Sequence, residues 1–266
     1  MSGTAVALRL DDVGAASKAW EVYGVTRLPL GRWSLPFPGN LLFLKYVPPI
    51  KRWAPYRELG ARDWDAILAA LQAARARLTV AVTAGWVERD GRVTPYPKKF
   101  SDAASALRAG VQQRLVEIAN HGYTHCVVDG RAFRPRWFSG NRPYHREFLD
   151  SVPADRHREH LQRAQDILQA FFETTIVTFV PAGNAFTRAT LAAAAAAGLR
   201  YVSCRDAGRY GADLGVVPIA DDAVRAIHDR DLVLGGRTWF TRLLASITPP
   251  PVTVRELVER PLESRR

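Results

Sequence analysis

Two histidines, His121 and His125, stand four residues apart in the run His-Gly-Tyr-Thr-His that closes the apolar stretch Leu115-Val116-Glu117-Ile118-Ala119. On one helical turn, side chains at that spacing face the same way, with β-carbons roughly 5–6 Å apart. Two imidazoles so placed converge on a single metal ion. A third donor, Asp12, lies far upstream in Arg9-Leu10-Asp11-Asp12, at the end of the first apolar run. Two histidines and a carboxylate that leave one position open for water form the layout of a hydrolytic zinc centre. The neighbouring Asp11 belongs to the same argument because successive strand residues point to opposite faces. A kink after the strand would send Asp12 to the metal and Asp11 towards the reacting water, where a carboxylate acts as general base.

The elements that must position these residues alternate in type. Ala5 to Leu10 reads as a buried strand, and Arg62 to Leu78 has helical periodicity through Trp64, Ile67, Leu68 and Leu71 before the strand Thr79–Val82. Ser101 to about Gln113 is a second helix, Leu115–Ala119 a strand, Ala154–Phe172 a long helix and Thr175–Val180 the next strand. An alanine-rich helix, Thr187–Ala197, stops at Gly198. Arg200–Cys204, Gly215–Ile219 and Ala226–His228 are further strands, and a helix resumes near Arg237–Ser246. Strands alternating with helices predict a parallel sheet, and about seven of them suit a distorted (β/α) barrel. The suspected ligands fall at strand ends, where such barrels collect their active sites.

One barrel domain is therefore expected over residues 1–247, with a charged, Pro-rich tail over 248–266. Two segments interrupt the alternation, 24–58 and 130–146, both dense in aromatic, proline and basic residues. Long irregular segments inside a compact domain are commonly functional. Arg136 and Tyr144, in the segment just after the His pair, are candidate substrate contacts: a ring to stack on a sugar beside an Arg to pair with phosphate or carboxylate.

Composition bounds the rest. No apolar run reaches the 18 residues of a membrane span. The N-terminus has no basic, apolar and cleavable leader, so a cytoplasmic location is expected. Two cysteines, Cys126 and Cys204, cannot build a disulfide framework. The net charge of +11 comes from 32 Arg and only 5 Lys against 26 acidic residues, without a recognition-helix or RNA-binding pattern. Nucleic acid is not the expected partner, and an anionic substrate or membrane surface fits the charge as well.

Leu10-Asp11-Asp12-Val13, His121-Gly122-Tyr123-Thr124-His125, Phe179-Val180-Pro181-Ala182 and Ile227-His228, in that order, resemble the motifs of the polysaccharide deacetylase (NodB-homology) superfamily, in its divergent intracellular branch. The resemblance runs over roughly residues 5–235. It implies a distorted (β/α) barrel that hydrolyses acetyl groups on sugars. Asp11 would be the general base, Asp12, His121 and His125 the ligands of a divalent metal, with zinc expected. His228 would be the general acid, oriented by Asp229 or Asp231. The backbone N–H near Ala182 would bind the oxyanion. Asn184, just beyond the motif, is read as either a polar contact to substrate or a turn residue. The implied substrate is an acetylated amino sugar, free or linked to a nucleotide or lipid; oligomeric state is left open.

The chain departs from the family pattern at several points. Val13 stands where a glycine is common, and Gly122 where Ser or Thr is usual. The third motif normally reads Arg-x-Pro-aromatic, and Phe179 and Ala182 replace its Arg and its aromatic. That Arg pairs with the catalytic aspartate in the family; Arg9 and Arg205 are the candidates to replace it here. If neither does, the alternative is a non-catalytic carbohydrate- or anion-binding protein on the same barrel. A hydrolase of non-sugar C–N bonds is the other alternative. His157 and His160, on a highly charged helix, read as solvated surface, and His145 stays unassigned.

Overall fold

The first strand, β1 (Ala7–Val13), is buried at every position, as a strand covered on both faces must be. A computed structural model of the protein describes residues 5–52, 57–129, 134, 136–210 and 213–260. After β1 come α1 (Ser17–Trp20), a hairpin of β2 (Arg27–Leu30) and β3 (Trp33–Pro36), α2 (Ala61–Ala74) and β4 (Leu78–Val82). A second small hairpin, β5 (Gly85–Val87) and β6 (Val93–Pro95), leads through α3 (Tyr96–Lys99) and α4 (Ser101–Gln112) to β7 (Val116–Asn120). Then follow α5 (Ala154–Phe172), β8 (Thr178–Phe179), α6 (Arg188–Ala196), β9 (Tyr201–Ser203), β10 (Val217–Ile219), β11 (Val224–His228), α7 (Asp229–Ala245) and α8 (Val254–Glu259).

Seven strands pair in the order β10-β9-β8-β7-β4-β1-β11, all of them parallel. The sheet curls into the expected distorted (β/α) barrel. Its main core joins strand residues such as Leu8, Val80 and Ile118 to the apolar faces of α2, α4 and α5, including Trp64, Leu71, Leu107 and Leu168. The expected strand 175–180 shrinks to two residues. Two glutamines of α5 take up the backbone before it: Gln169 Oε1 accepts the Ile176 N–H (3.1 Å) and Gln165 Nε2 donates to the Ile176 carbonyl (3.0 Å).

The two interrupting segments pack on each other as one cap. The Leu42 N–H donates to the Trp137 carbonyl, and the buried Lys45 ammonium donates to the carbonyls of Arg136 and Ser139. Asn141 fastens this cap to the end of α1: its Oδ1 accepts the Val22 N–H at 2.6 Å and its Nδ2 donates to the Trp20 carbonyl at 2.8 Å. Segment 24–58 is not wholly irregular, since it contains the β2–β3 hairpin.

Part of the segment read as a tail lies against the barrel. Val252 bridges to Ala7, and the first amides of α8 end on barrel side chains, Val254 N–H on Thr79 Oγ1 (2.7 Å) and Arg255 N–H on the half-buried Glu117 (3.0 Å). Residues 261–266 of that segment lie outside the described residues.

Candidate metal centre

The His-Gly-Tyr-Thr-His run is not a helical turn. It is an irregular loop at the carboxyl end of β7, with Gly122 at φ 86° and His125 at φ 57°. The two histidines converge because a buried carboxylate gathers the loop's amides. Glu147 accepts the N–H groups of Tyr123 (2.9 Å), Thr124 (3.2 Å) and His125 (2.9 Å). Asn120 Oδ1 accepts the Gly122 N–H at 2.8 Å. A Cβ on residue 122 would lie 2.2 Å from Glu147 Oε2, which explains glycine where the family commonly has Ser or Thr. Burial opposes ionisation of Glu147, but the His160 hydrogen bond and the loop amides outweigh it and hold the carboxyl below its ordinary value. His160 Nδ1 sits 2.6 Å from Glu147 Oε1. His157 is buried, its Nδ1 2.9 Å from Thr190 Oγ1. Neither histidine is a solvated surface residue: the charged side chains of α5 face outward while these two turn to the core.

β1 supplies the third ligand through the expected kink. Its register with β4 shifts between Leu10 and Val13, and Asp12 adopts φ 71°. Such left-handed backbone costs a non-glycine residue about 1 kcal/mol, and it turns Asp12 towards the histidines. Asp12 Oδ1 lies 3.3 Å from His121 Nε2 and 3.2 Å from His125 Nε2. All three residues are buried, with potential ligand atoms within 4.8 Å of one another. His121 Nδ1 lies 2.6 Å from the Val180 carbonyl. A carbonyl can only accept, so Nδ1 carries the proton and the Nε2 lone pair of the neutral ring faces the Asp12 oxygen. Two facing electron pairs on buried side chains call for a cation between them. Burial acts against both charges, yet the mutual hydrogen bonds raise the His121 pKa and hold Asp12 well below the carboxylate range. On the other ring, His125 Nδ1 meets Ser17 Oγ at 2.9 Å. The donor set fits a divalent metal.

Asp11 does not lack a guanidinium. Arg9 grips it with two parallel bonds of 2.8 Å, and its remaining nitrogen donates across the barrel to the Ser203 carbonyl (2.6 Å) and Oγ (2.7 Å) on β9. Arg205 is exposed at this position and uses its backbone N–H on Asn184 Oδ1 (3.2 Å). In the third motif Phe179 is buried in the core, while Val180 serves the site through its carbonyl.

His228 is the register partner of Asp11 in the β1–β11 pair. Its Nδ1 is 3.9 Å from Asp231 Oδ2, which also accepts the His228 N–H at 3.0 Å. Asp229 points elsewhere, to the buried ammonium of Lys18, which also bonds Glu58 at 2.7 Å. Burial acts against the Lys18 charge, but the two carboxylates outweigh it and raise its pKa. This cluster ties α1, the irregular segment just before α2 and the start of α7 together.

A cavity of about 170 Å³ joins these groups, lined by Asp11, Asp12, His121, His125, Pro181, Asn184 and His228. The cap contributes Arg142, His145 and Arg146, and Glu21 enters from the end of α1. Arg136 and Tyr144 are not among the lining residues; they stack on each other, guanidinium to ring centroid 5.3 Å, and Arg136 lines an adjoining cleft. Ala182 is buried just behind Pro181. Burial pushes the Glu21 carboxyl up to about 8, with Arg142 opposing and Asp12 adding to the shift. Glu21, Glu147 and His160 carry no motif in the sequence. Only the dense Arg content of 130–146 hinted that cap cations would reach the site.

A family model described as polysaccharide deacetylase matches residues 59–202, more than half of the 266-residue chain. The match includes the His loop, while the aspartate pair and His228 lie beyond its ends. No curated protein matches the chain. Among solved structures, a CE4 family pseudoenzyme from Bacillus anthracis is 16% identical with a TM-score of 0.48, covering 76% of this chain and 62% of its own. The chain thus spans less than two thirds of that neighbour's length. A family 4 carbohydrate esterase from Streptomyces lividans, in complex with acetate, is 15% identical (TM-score 0.47; 92% and 90% covered). A deacetylase solved with substrate is 11% identical with a TM-score of 0.50, covering 96% of this chain and 90% of that one, and shares its fold. On the family match, carried by a segment that holds two of the three clustered ligands, the chain belongs to the polysaccharide deacetylase family.

Proposed function

We propose that this protein is a metal-dependent hydrolase that removes an acetyl or similar acyl group from an amino sugar or glycoconjugate. The observation that carries the reading is the convergence of Asp12, His121 and His125 beside an Asp11 already paired with Arg9. A divalent cation in that cluster, zinc being the expected one, supplies Lewis-acid polarisation and lowers the pKa of water. Asp11 takes the proton of the attacking water, and Arg9 fixes the orientation of that carboxylate. The backbone N–H near Ala182 bonds the developing oxyanion. His228, one strand over, delivers a proton to the departing amine as the C–N bond breaks, so that water and amide become carboxylic acid and amine. Arg142, Arg146 and Asn184 line the same cavity, which supports assigning them to substrate binding. A cavity of this size, roofed by the cap, favours the acylated end of a small or carrier-linked sugar, and the reading extends to a cytoplasmic substrate joined to a nucleotide or lipid.

The test is elemental analysis of wild type, His125→Ala and Asp11→Asn, together with acetate release from N-acetylated amino sugars. The reading expects near-stoichiometric metal in wild type and Asp11→Asn, its loss in His125→Ala, and turnover only in wild type. Wild type that takes up no metal on reloading refutes it.

A further inference from the structure

The cap carries an apolar surface that the hydrolytic site does not use. In the β2–β3 hairpin, Leu28 pairs with Leu35 and Leu30 with Trp33. Cross-strand partners and residues two apart share a face, so these four side chains form one side of the ribbon. All are exposed, Leu30 by 63% and Trp33 by 68%. An isolated two-stranded ribbon is marginal in water, and this one presents its apolar side outward. A second exposed cluster lies on the same cap, where Phe43 and Trp137 meet edge to face at 5.6 Å beside Phe138. Most of the large exposed apolar side chains among the described residues belong to the cap. Scattered surface hydrophobics need no explanation, but a concentration of them does.

The charge on this cap is nearly all of one sign. Segment 24–58 holds six basic residues and one acid, Glu58, and 130–146 holds five Arg and no acid. Arg27, Arg52, Arg136 and Arg142 line a single cleft of about 550 Å³ between the two insertions, with no carboxylate in its wall. Arg142 also lines the cavity of the metal centre. Exposed Trp, Phe and Leu interleaved with Arg is the composition of a surface that lies in the headgroup region of a bilayer. Anionic headgroups complement the cations while the rings and leucines enter the acyl boundary.

We propose that the cap is a peripheral docking surface for an anionic lipid bilayer, seating the mouth of the metal centre at the membrane. This concerns where the protein sits and stands independently of the deacylation reading. Vesicle co-sedimentation of the full chain tests it, using phosphatidylcholine alone and phosphatidylcholine mixed with phosphatidylglycerol, for wild type and a Leu30→Asp/Trp33→Asp double variant. Wild type is expected to sediment with the anionic vesicles and to be released by high salt. The variant, altered only at exposed hairpin positions, is expected to keep the wild-type Tm and to bind roughly tenfold or more weakly. Wild type that stays in the supernatant with both vesicle types overturns the proposal, as does a variant that binds as wild type does. A dimer by light scattering that the double variant dissociates, with no vesicle binding, assigns the face to a second copy and also overturns it.

Discussion

Arg9 and Asp11, two residues apart on β1, form a bidentate ion pair with both bonds at 2.8 Å, and Arg9 is itself clamped by Ser203 on β9. The guanidinium that the family's third motif would bring from another strand is supplied here by the strand that carries the aspartate. The missing motif-three Arg therefore does not leave Asp11 without a guanidinium partner. Arg9→Gln should leave metal content unchanged and lower kcat roughly ten- to hundredfold, the equivalent of one charge-assisted pair. Arg9→Lys should recover only part of the loss, because an ammonium cannot make the parallel fork. Unchanged kcat in Arg9→Gln would remove Asp11's partner from the mechanism.

Gly122 and Glu147 predict a stability effect at the metal loop. Gly122→Ala introduces a Cβ against Glu147 Oε2 at a position with φ 86°. The collision and the left-handed backbone together should cost about 2–3 kcal/mol. Thermal unfolding should show a lower Tm, and metal affinity should fall with it because the amides of Tyr123 and His125 lose their acceptor.

The Glu147 carboxylate also sets a pH dependence. Its folded-state pKa lies below the ordinary 4.5, so its contribution to stability is complete above that range and is lost as pH falls through the folded value. Glu147→Gln should therefore be less stable than wild type at neutral pH. The gap in denaturation midpoint should narrow as pH is lowered below about 4. A gap that is constant with pH would show that ionisation of Glu147 does not hold the loop.

Ser17 braces His125 from α1, Oγ to Nδ1 2.9 Å. Ser17→Ala should weaken metal binding by roughly ten- to hundredfold, as loss of such a brace commonly does, measurable by competition with a chelator. Stripping the metal from wild type should lower its Tm by more than it does in Ser17→Ala.

Local sequence determined the alternation of strands and helices, because amphipathic periods are set by burial of one face and are written within ten or twenty residues. α5 over Ala154–Phe172 and α4 from Ser101 follow the apolar period closely. The kink at Asp12 and the convergence of Asp12, His121 and His125 were legible from residue type and strand-end position. Even the Arg9–Asp11 pair obeys the two-residue period of a strand. The conformation around His121 was not legible: a four-residue spacing suits a helix, and only Glu147, brought in from 22 residues beyond His125, gathers the amides into a loop instead. The same holds for His160 and His157, whose charged neighbours suggest solvent although packing of α5 turns them inward. Tertiary structure alone decided that the two insertions form one cap, that its Arg142 and Arg146 share a cavity with Glu21, and that Asp11 and His228 become neighbours in register. Each of these joins chain segments far apart in sequence, and no local period encodes a contact whose partner is chosen by the closure of the barrel.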